Sequence, residues 1–269
     1  MSDLHLFNDE LIKQEKRLSK KPRISILGIG VDVLNTNETV ELVNEYVVEK
    51  EPLHLIGVNA DKINECDEDE HLKEIVNSCG VVNADGVSVV LAGKILGKPL
   101  PERVAGIDLM NELLMLCENK GYTTYFLGAK REVIEKAVEK IRNDHPMLNV
   151  LGFREGYFDE SEWPSITEEI NNLSPQFVFV GISSPIKEYL IEHFQNSGMT
   201  SVFMGVGGSF DVISGMIPRA PLWMRKCSLE WLFRLIKEPK RLFKRYFFGN
   251  IKFIKKVIKS KIDQRNDDS

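Results

Sequence analysis

Two residues in the first half of the chain could do acid–base chemistry beside an anionic ligand: Asp85 and Arg103. Asp85 lies in the turn sequence Asn83-Ala84-Asp85-Gly86, directly after the apolar pair Val81-Val82, which reads as the end of a buried strand. Val87, Val90, Leu91 and Ile95 follow at helical spacing. A carboxylate between a strand end and a helix start stands at the edge where open α/β sheets bind ligands. Pro99 and Pro101 stiffen the segment that delivers Arg103 ahead of Gly106. Such a pair can take up a proton and hold negative charge. The competing reading is structural, because Asp ahead of a helix most often caps it.

Three further stretches fall on the same kind of edge. Gly205-Val206-Gly207-Gly208-Ser209-Phe210-Asp211 follows a predicted strand and opens a predicted helix. Glycines there let backbone N–H groups approach a phosphate, and a helix N-terminus favours negative charge. Asp211 can accept hydrogen bonds from ribose hydroxyls; a ligand-free tight turn explains the glycines equally well. Tyr157, in Gly156-Tyr157-Phe158, can stack on a base, although loop aromatics more often simply pack. Ser183-Ser184-Pro185 precedes Lys187 and Glu188 at a helix start.

Other chemistries find no support. The five histidines (His5, His54, His71, His145, His193) form no constellation, and neither G-x-S-x-G nor a P-loop occurs. Asp67-Glu68-Asp69 reads as solvated surface charge, so no metal is expected. Gly28 and Gly30 begin a dinucleotide fingerprint, but Val33 takes the place of its third glycine, which disfavours an oxidoreductase.

The elements that must position these residues alternate. Residues 23–33 read as a strand or hairpin, 39–48 as a helix and 53–58 as a strand. Strands over 123–128, 148–152, 177–181 and 201–206 are each followed by a helical pattern. Apolar strands alternating with helices predict an α/β fold, a parallel sheet covered on both faces. The 269 residues suffice for one large domain. The four scattered cysteines suit a reducing cytoplasm, the charged N-terminus is no signal peptide, and no apolar run reaches the ~18 residues a membrane span needs.

Charge divides the chain. Residues 219–261 hold 14 basic and two acidic side chains, against 21 basic and 38 acidic elsewhere. In this tail Leu229, Leu232, Phe233 and Ile236 recur at helical spacing, and apolar residues continue among lysines to Ile258. Basic amphipathic stretches of this kind lie in a membrane interface and face anionic lipid. The organisation expected is an N-terminal arm (1–22), a catalytic α/β domain (23–218) and a basic appendage (219–269). A homo-oligomer interface in the tail is compatible with membrane contact; nucleic acid is not an expected partner.

The collected motifs resemble the WecG/TagA/CpsF glycosyltransferases, glycosyltransferase family 26. The resemblance runs from about residue 26 to 253. It is carried by V-N-A-D (58–61), N-A-D-G (83–86), K-P-L-P-E-R-V-A-G-x-D-L (98–109), L-G-A (127–129), G-Y-F (156–158), G-V-G-G-S-F-D (205–211) and R-A-P…W-L-F-R-L-I-K-E-P-K-R (219–241). It implies a Rossmann-like fold of the GT-E type. It also implies a bacterial enzyme, peripheral on the inner face of the cell membrane, that moves a sugar from a UDP-sugar to a polyprenyl-diphosphate-linked sugar. Asp85 would be the general base, with Arg103 and Asn59 beside it. Tyr157 would meet the base of the nucleotide and Asp211 the ribose, with Gly128, Gly207 and Gly208 in the same pocket. Arg234, Arg241 and Lys244, or its neighbour Arg245, would approach the donor diphosphate. No cofactor is implied.

Two positions depart from the family pattern. Gly57 stands where many members carry threonine, and Lys187 where many carry glutamine. Both would line the sugar pocket, so a donor other than N-acetylmannosamine is compatible, including an acidic sugar whose carboxylate Lys187 would meet. A function of another class, a non-catalytic adaptor on anionic lipid, would not require Asp85, Arg103, Tyr157 and Asp211 together.

Overall fold

The structure, a computed structural model, describes residues 16–226, 229–237 and 239–267. An antiparallel hairpin comes first, β1 (Arg23–Ile26) and β2 (Ile29–Asp32). Described residues of the segment before it are tied to the body. Arg17 and Arg23 both donate to the buried Asp32 carboxylate, and Leu18 N donates to Tyr46 Oη at 3.1 Å.

Helix α1 (Thr36–Glu49) begins at a reciprocal cap between Asn35 and Glu38. Then follow β3 (Leu53–Val58), α2 (Ala60–Cys66), α3 (Glu70–Ser78), β4 (Val81–Ala84) and α4 (Val87–Ile95). Next are α5 (Gly106–Lys120), β5 (Thr123–Gly128), α6 (Arg131–Asp144), β6 (Asn149–Arg154) and α7 (Trp163–Leu173). The α/β part closes with β7 (Phe177–Gly181), α8 (Ile186–Asn196), β8 (Val202–Gly205) and the five-residue α9 (Ser209–Ile213). Strands β3 to β8 pair in parallel in the order β4-β3-β8-β7-β5-β6, as the alternation of strands and helices predicts.

Both sheet faces are covered, which is why the strands carry little internal polarity. On β3, Leu53 and Leu55 join a core with α1, α5 and α6, while Ile56 and Val58 join a core with α2, α3, α4 and the hairpin. Helices α7 and α8 cover the other half of that second face. The parallel pairing brings the loops after all six strands to one edge of the sheet.

The basic C-terminal segment forms α10 (Leu222–Lys226), α11 (Glu230–Lys237) and α12 (Pro239–Asp267). Helix α12 packs on α2 and is not a free tail: Phe253 and Val257 are buried in the α2–α4 core. Lys252 pairs with Glu68 and Lys256 with Asp67, so the acidic run 67–69 is in part a seat for α12, not only solvated surface. Asp69 caps α3 through Leu72 N at 3.0 Å. The outward side of α12 carries Phe243, Phe247, Ile251, Ile254, Ile258 and Ile262, all exposed. No described helix is long and apolar enough to cross a membrane.

Candidate active site

Asp85 lies just past β4 and Asn59 just past β3, two neighbouring strands. The backbone N–H groups of Asp85 and Gly86 both donate to Val58 O, at 2.9 and 3.2 Å, which locks the two loops together. The N-cap of α4 is Gly86, with no side-chain cap, so Asp85 does not cap the helix that follows it. Its Oδ1 instead accepts the N–H of Gly106, the first residue of α5, at 3.1 Å. Asn59 does cap its own helix, accepting Lys62 N at 3.0 Å. Gly86 packs so close to Asn59 that a Cβ there would come within 2.9 Å of the Asn59 Cβ.

The proline-stiffened segment docks against this pair. Val104 N donates to Ala84 O at 2.9 Å, and Thr36 N and Oγ1 each donate to Glu102 Oε1 at 2.7 Å. Arg103 is thereby delivered to the loop after β4, where its Nε donates to Asp85 O at 2.7 Å. Its Nη2 lies 4.0 Å from Asp85 Oδ1 and donates to Glu230 Oε2 at 3.0 Å. The sequence expectation of a carboxylate beside a guanidinium is therefore met, but with a third member. Sequence reading missed Glu230; the only signal was that it is one of two acids in a stretch with 14 bases.

The nucleotide candidates stand further along the same edge. Tyr157 follows β6, at the opposite end of the sheet from β4, and is 70% exposed. An open aromatic face there is available for stacking. The loop beneath is backbone packed on backbone. Gly128 has φ 139, and a Cβ on it would lie 2.5 Å from the Gly181 backbone, so only glycine fits. Ala129 is held at φ 56, and Gly156 N donates to Ala129 O at 2.8 Å. Gly207, Gly208 and Asp211 follow β8, between these two ends. Because α9 has only five residues, its dipole adds less to anion binding than the glycine motif suggests. From β4 to β6 the edge spans roughly 24 Å, at about 4.8 Å per strand.

Lys187 does not present an unanswered charge to this edge. Its Nζ pairs with the buried Glu188 at 2.8 Å, and Lys62 Nζ reaches the same oxygen at 2.8 Å. Burial lowers the Lys187 ammonium, with Glu188 opposing. Burial would raise the Glu188 carboxyl, but Lys187 and Lys62 outweigh it and hold it at about 2. Ser184 Oγ, from the Ser-Pro turn, donates to Glu65 Oε2 at 2.7 Å and receives Lys62. A carboxylate on the sugar is thus not needed to balance Lys187. Gly57 bears on Asp85 instead: a Cβ at 57 would lie 2.9 Å from the Asp85 Cβ. Arg234, Arg241 and Lys244 belong to α11 and α12, but their side chains lie outside what the structure describes. Among the described residues no cluster of three His, Cys, Asp or Glu has metal-binding geometry.

The sequence profile of the glycosyl transferase WecG/TagA/CpsF family matches residues 24–267. A Bacillus spizizenii protein named N-acetylglucosaminyldiphosphoundecaprenol N-acetyl-beta-D-mannosaminyltransferase is 30% identical over 211 residues, covering 78% of this chain and 81% of that one. A Staphylococcus aureus protein of the same name is 29% identical over 249 residues, 90% of this chain and 95% of that one. A Bacillus subtilis protein of that name is 34% identical over 168 residues, 62% of this chain and 65% of its own.

Proposed function

We propose, from the premise that this chain belongs to the WecG/TagA/CpsF family of glycosyl transferases, that it moves a hexose from a UDP-sugar to a polyprenyl-diphosphate-linked N-acetylglucosamine. The observation that carries the reading is the placement of Asp85. It stands at the carboxyl edge of the sheet, does not cap α4, and has Arg103 gripping its own backbone carbonyl. In the proposed step the acceptor hydroxyl attacks the anomeric carbon and gives its proton to Asp85 as the bond to UDP breaks. Attack from the face opposite UDP inverts the anomeric centre. Arg103 and basic side chains of the appendage stabilise the charge growing on the departing diphosphate, which makes the step metal-independent.

The names of the relatives make UDP-N-acetylmannosamine the first donor to try. An acidic donor ranks second, because Glu188 already answers Lys187. The exposed apolar side of α12, set in the basic stretch 219–261, supports a peripheral position on the anionic inner face of the membrane.

The test is a panel of UDP-sugars with a polyprenyl-diphosphate-N-acetylglucosamine analogue, with UDP release measured with and without EDTA. One donor should release UDP and give a product of inverted configuration, unaffected by EDTA. No release from any donor would sink the transferase reading, and loss with EDTA would sink metal independence.

A further inference from the structure

Among the described residues, one carboxylate of the appendage meets Arg103 beside the Asp85 loop. Glu230, the first residue of α11, is buried although it stands in the most basic stretch of the chain. Its Oε2 accepts from Arg103 Nη2 at 3.0 Å, and its Oε1 lies 3.9 Å from Arg219 Nε. Arg103 turns its Nε the other way, to Asp85 O at 2.7 Å. Arg219 goes on to Asp108, in the first turn of α5. The first N–H of α5, on Gly106, returns to Asp85 Oδ1 at 3.1 Å. The contacts close a ring that runs from the base, through the appendage, and back to the base.

A planar guanidinium fixes the direction of every partner it holds. With Glu230 in place, Arg103 has one orientation in which both its carboxylate and its carbonyl are satisfied. Without Glu230 a half-buried cation is left to find another partner, and the Asp85 carboxylate stands 4.0 Å away.

We propose that Glu230 is a positioning residue for the transfer step. It holds Arg103 in the orientation that grips the Asp85 loop, so the base is set in place by the docked appendage. This rests on the roles given above to Asp85 and Arg103. Glu230 acts through Arg103, not on the reacting atoms. The appendage therefore contributes to turnover by geometry, and does so even when no membrane is present.

The experiment uses the full chain, the donor the wild type accepts, and a short-chain, water-soluble acceptor without lipid vesicles. Glu230→Ala, Glu230→Gln, Arg103→Ala and the two double variants are compared. Loss of Glu230 should lower kcat by about 10- to 100-fold, as small misplacements of a catalytic group do. Donor KM should stay within about threefold, because the loss is of positioning rather than of binding. Glutamine keeps an oxygen for Arg103 and should restore part of the rate; it also serves if the alanine variant does not fold. On the Arg103→Ala background the Glu230 change should cost nothing more. Hydrogen exchange of the amides of Val104 and Gly106 should be faster in both Glu230 variants, by about tenfold. Unchanged kcat and exchange in a folded variant, or losses that multiply with Arg103→Ala, would overturn the proposal. A wild type that transfers no sugar but loosens at Val104 and Gly106 on loss of Glu230 would overturn the transferase reading and keep the positional one.

Discussion

Gly57 and Asp85 sit so close that a Cβ on Gly57 would lie 2.9 Å from the Asp85 Cβ. The contact is fixed by strand pairing, since β3 and β4 run parallel with Gly57 opposite Asn83. Gly57→Ala is therefore expected to push the Asp85 side chain aside. Transfer should slow by about tenfold, with UDP affinity unchanged by calorimetry. A fully active alanine variant would show that Asp85 tolerates the shift.

Asp85→Asn should nearly abolish transfer while leaving UDP affinity within a few-fold. A general base contributes typically ~10²–10⁴-fold. The asparagine oxygen can still accept from Gly106 N, so the loop should hold its shape. More than about half the wild-type rate would leave Asp85 with the structural bond to α5 alone.

Tyr157→Ala and Asp211→Ala should each weaken UDP binding by about 1–2 kcal/mol, from lost stacking and a lost hydrogen bond. Tyr157 is exposed, so its removal should not disturb the fold. Calorimetry showing unchanged UDP affinity in both variants would remove the nucleotide pocket from this edge.

The outward face of α12 offers a test of membrane contact that spares the core. Deleting the appendage would also strip Phe253 and Val257 from their seat on α2–α4, so substitution is the cleaner probe. Ile254 and Ile258 are each 54% exposed. Ile254→Glu with Ile258→Glu should leave the melting temperature nearly unchanged, since exposed substitutions cost within about 0.5 kcal/mol. Binding to anionic vesicles should drop by at least about tenfold, as each isoleucine buried in lipid is worth about 1.5–3 kcal/mol. Wild-type binding should weaken with salt. Equal sedimentation of both proteins would exclude this face.

His54 makes stability depend on pH. It is buried in β3, and burial pushes its imidazole from 6.5 to about 4, with Glu188 opposing and Lys187 and Lys62 reinforcing. In the unfolded chain it titrates near its ordinary value, so between those two pH values the unfolded state binds more protons. Stability is then complete above pH 6.5 and is lost as pH falls toward about 4. Melting temperatures should fall through that window, and His54→Gln should flatten the fall. Parallel curves for the two proteins would assign the acid sensitivity of that window to other groups; Glu188, held down at about 2, gives up its contribution only as pH falls below its ordinary 4.5.

Periodicity was enough to read the parallel α/β fold, because a strand buried on both faces must be apolar along its length, as in Phe177–Gly181. That Asp85, Tyr157 and Asp211 fall on one edge of the sheet was also legible, since a turn after a parallel strand lies at that edge whatever the tertiary arrangement. Whether Asp85 caps α4 or faces α5 was not legible. Its neighbour Gly106 is 21 residues away, and only the docking of residues 98–105 on β4 brings them together. The same holds for Lys187, whose exposed-looking place at a helix start becomes a buried pair once Lys62 arrives from α2. Glu230 lies 127 residues from Arg103, and its burial follows from how α11 meets the loop that carries Arg103. Local sequence fixes which groups are available, because spacing sets the face on which each one falls. Partner choice among charged groups was left to the tertiary structure, since long-range packing decides which of them lose water together.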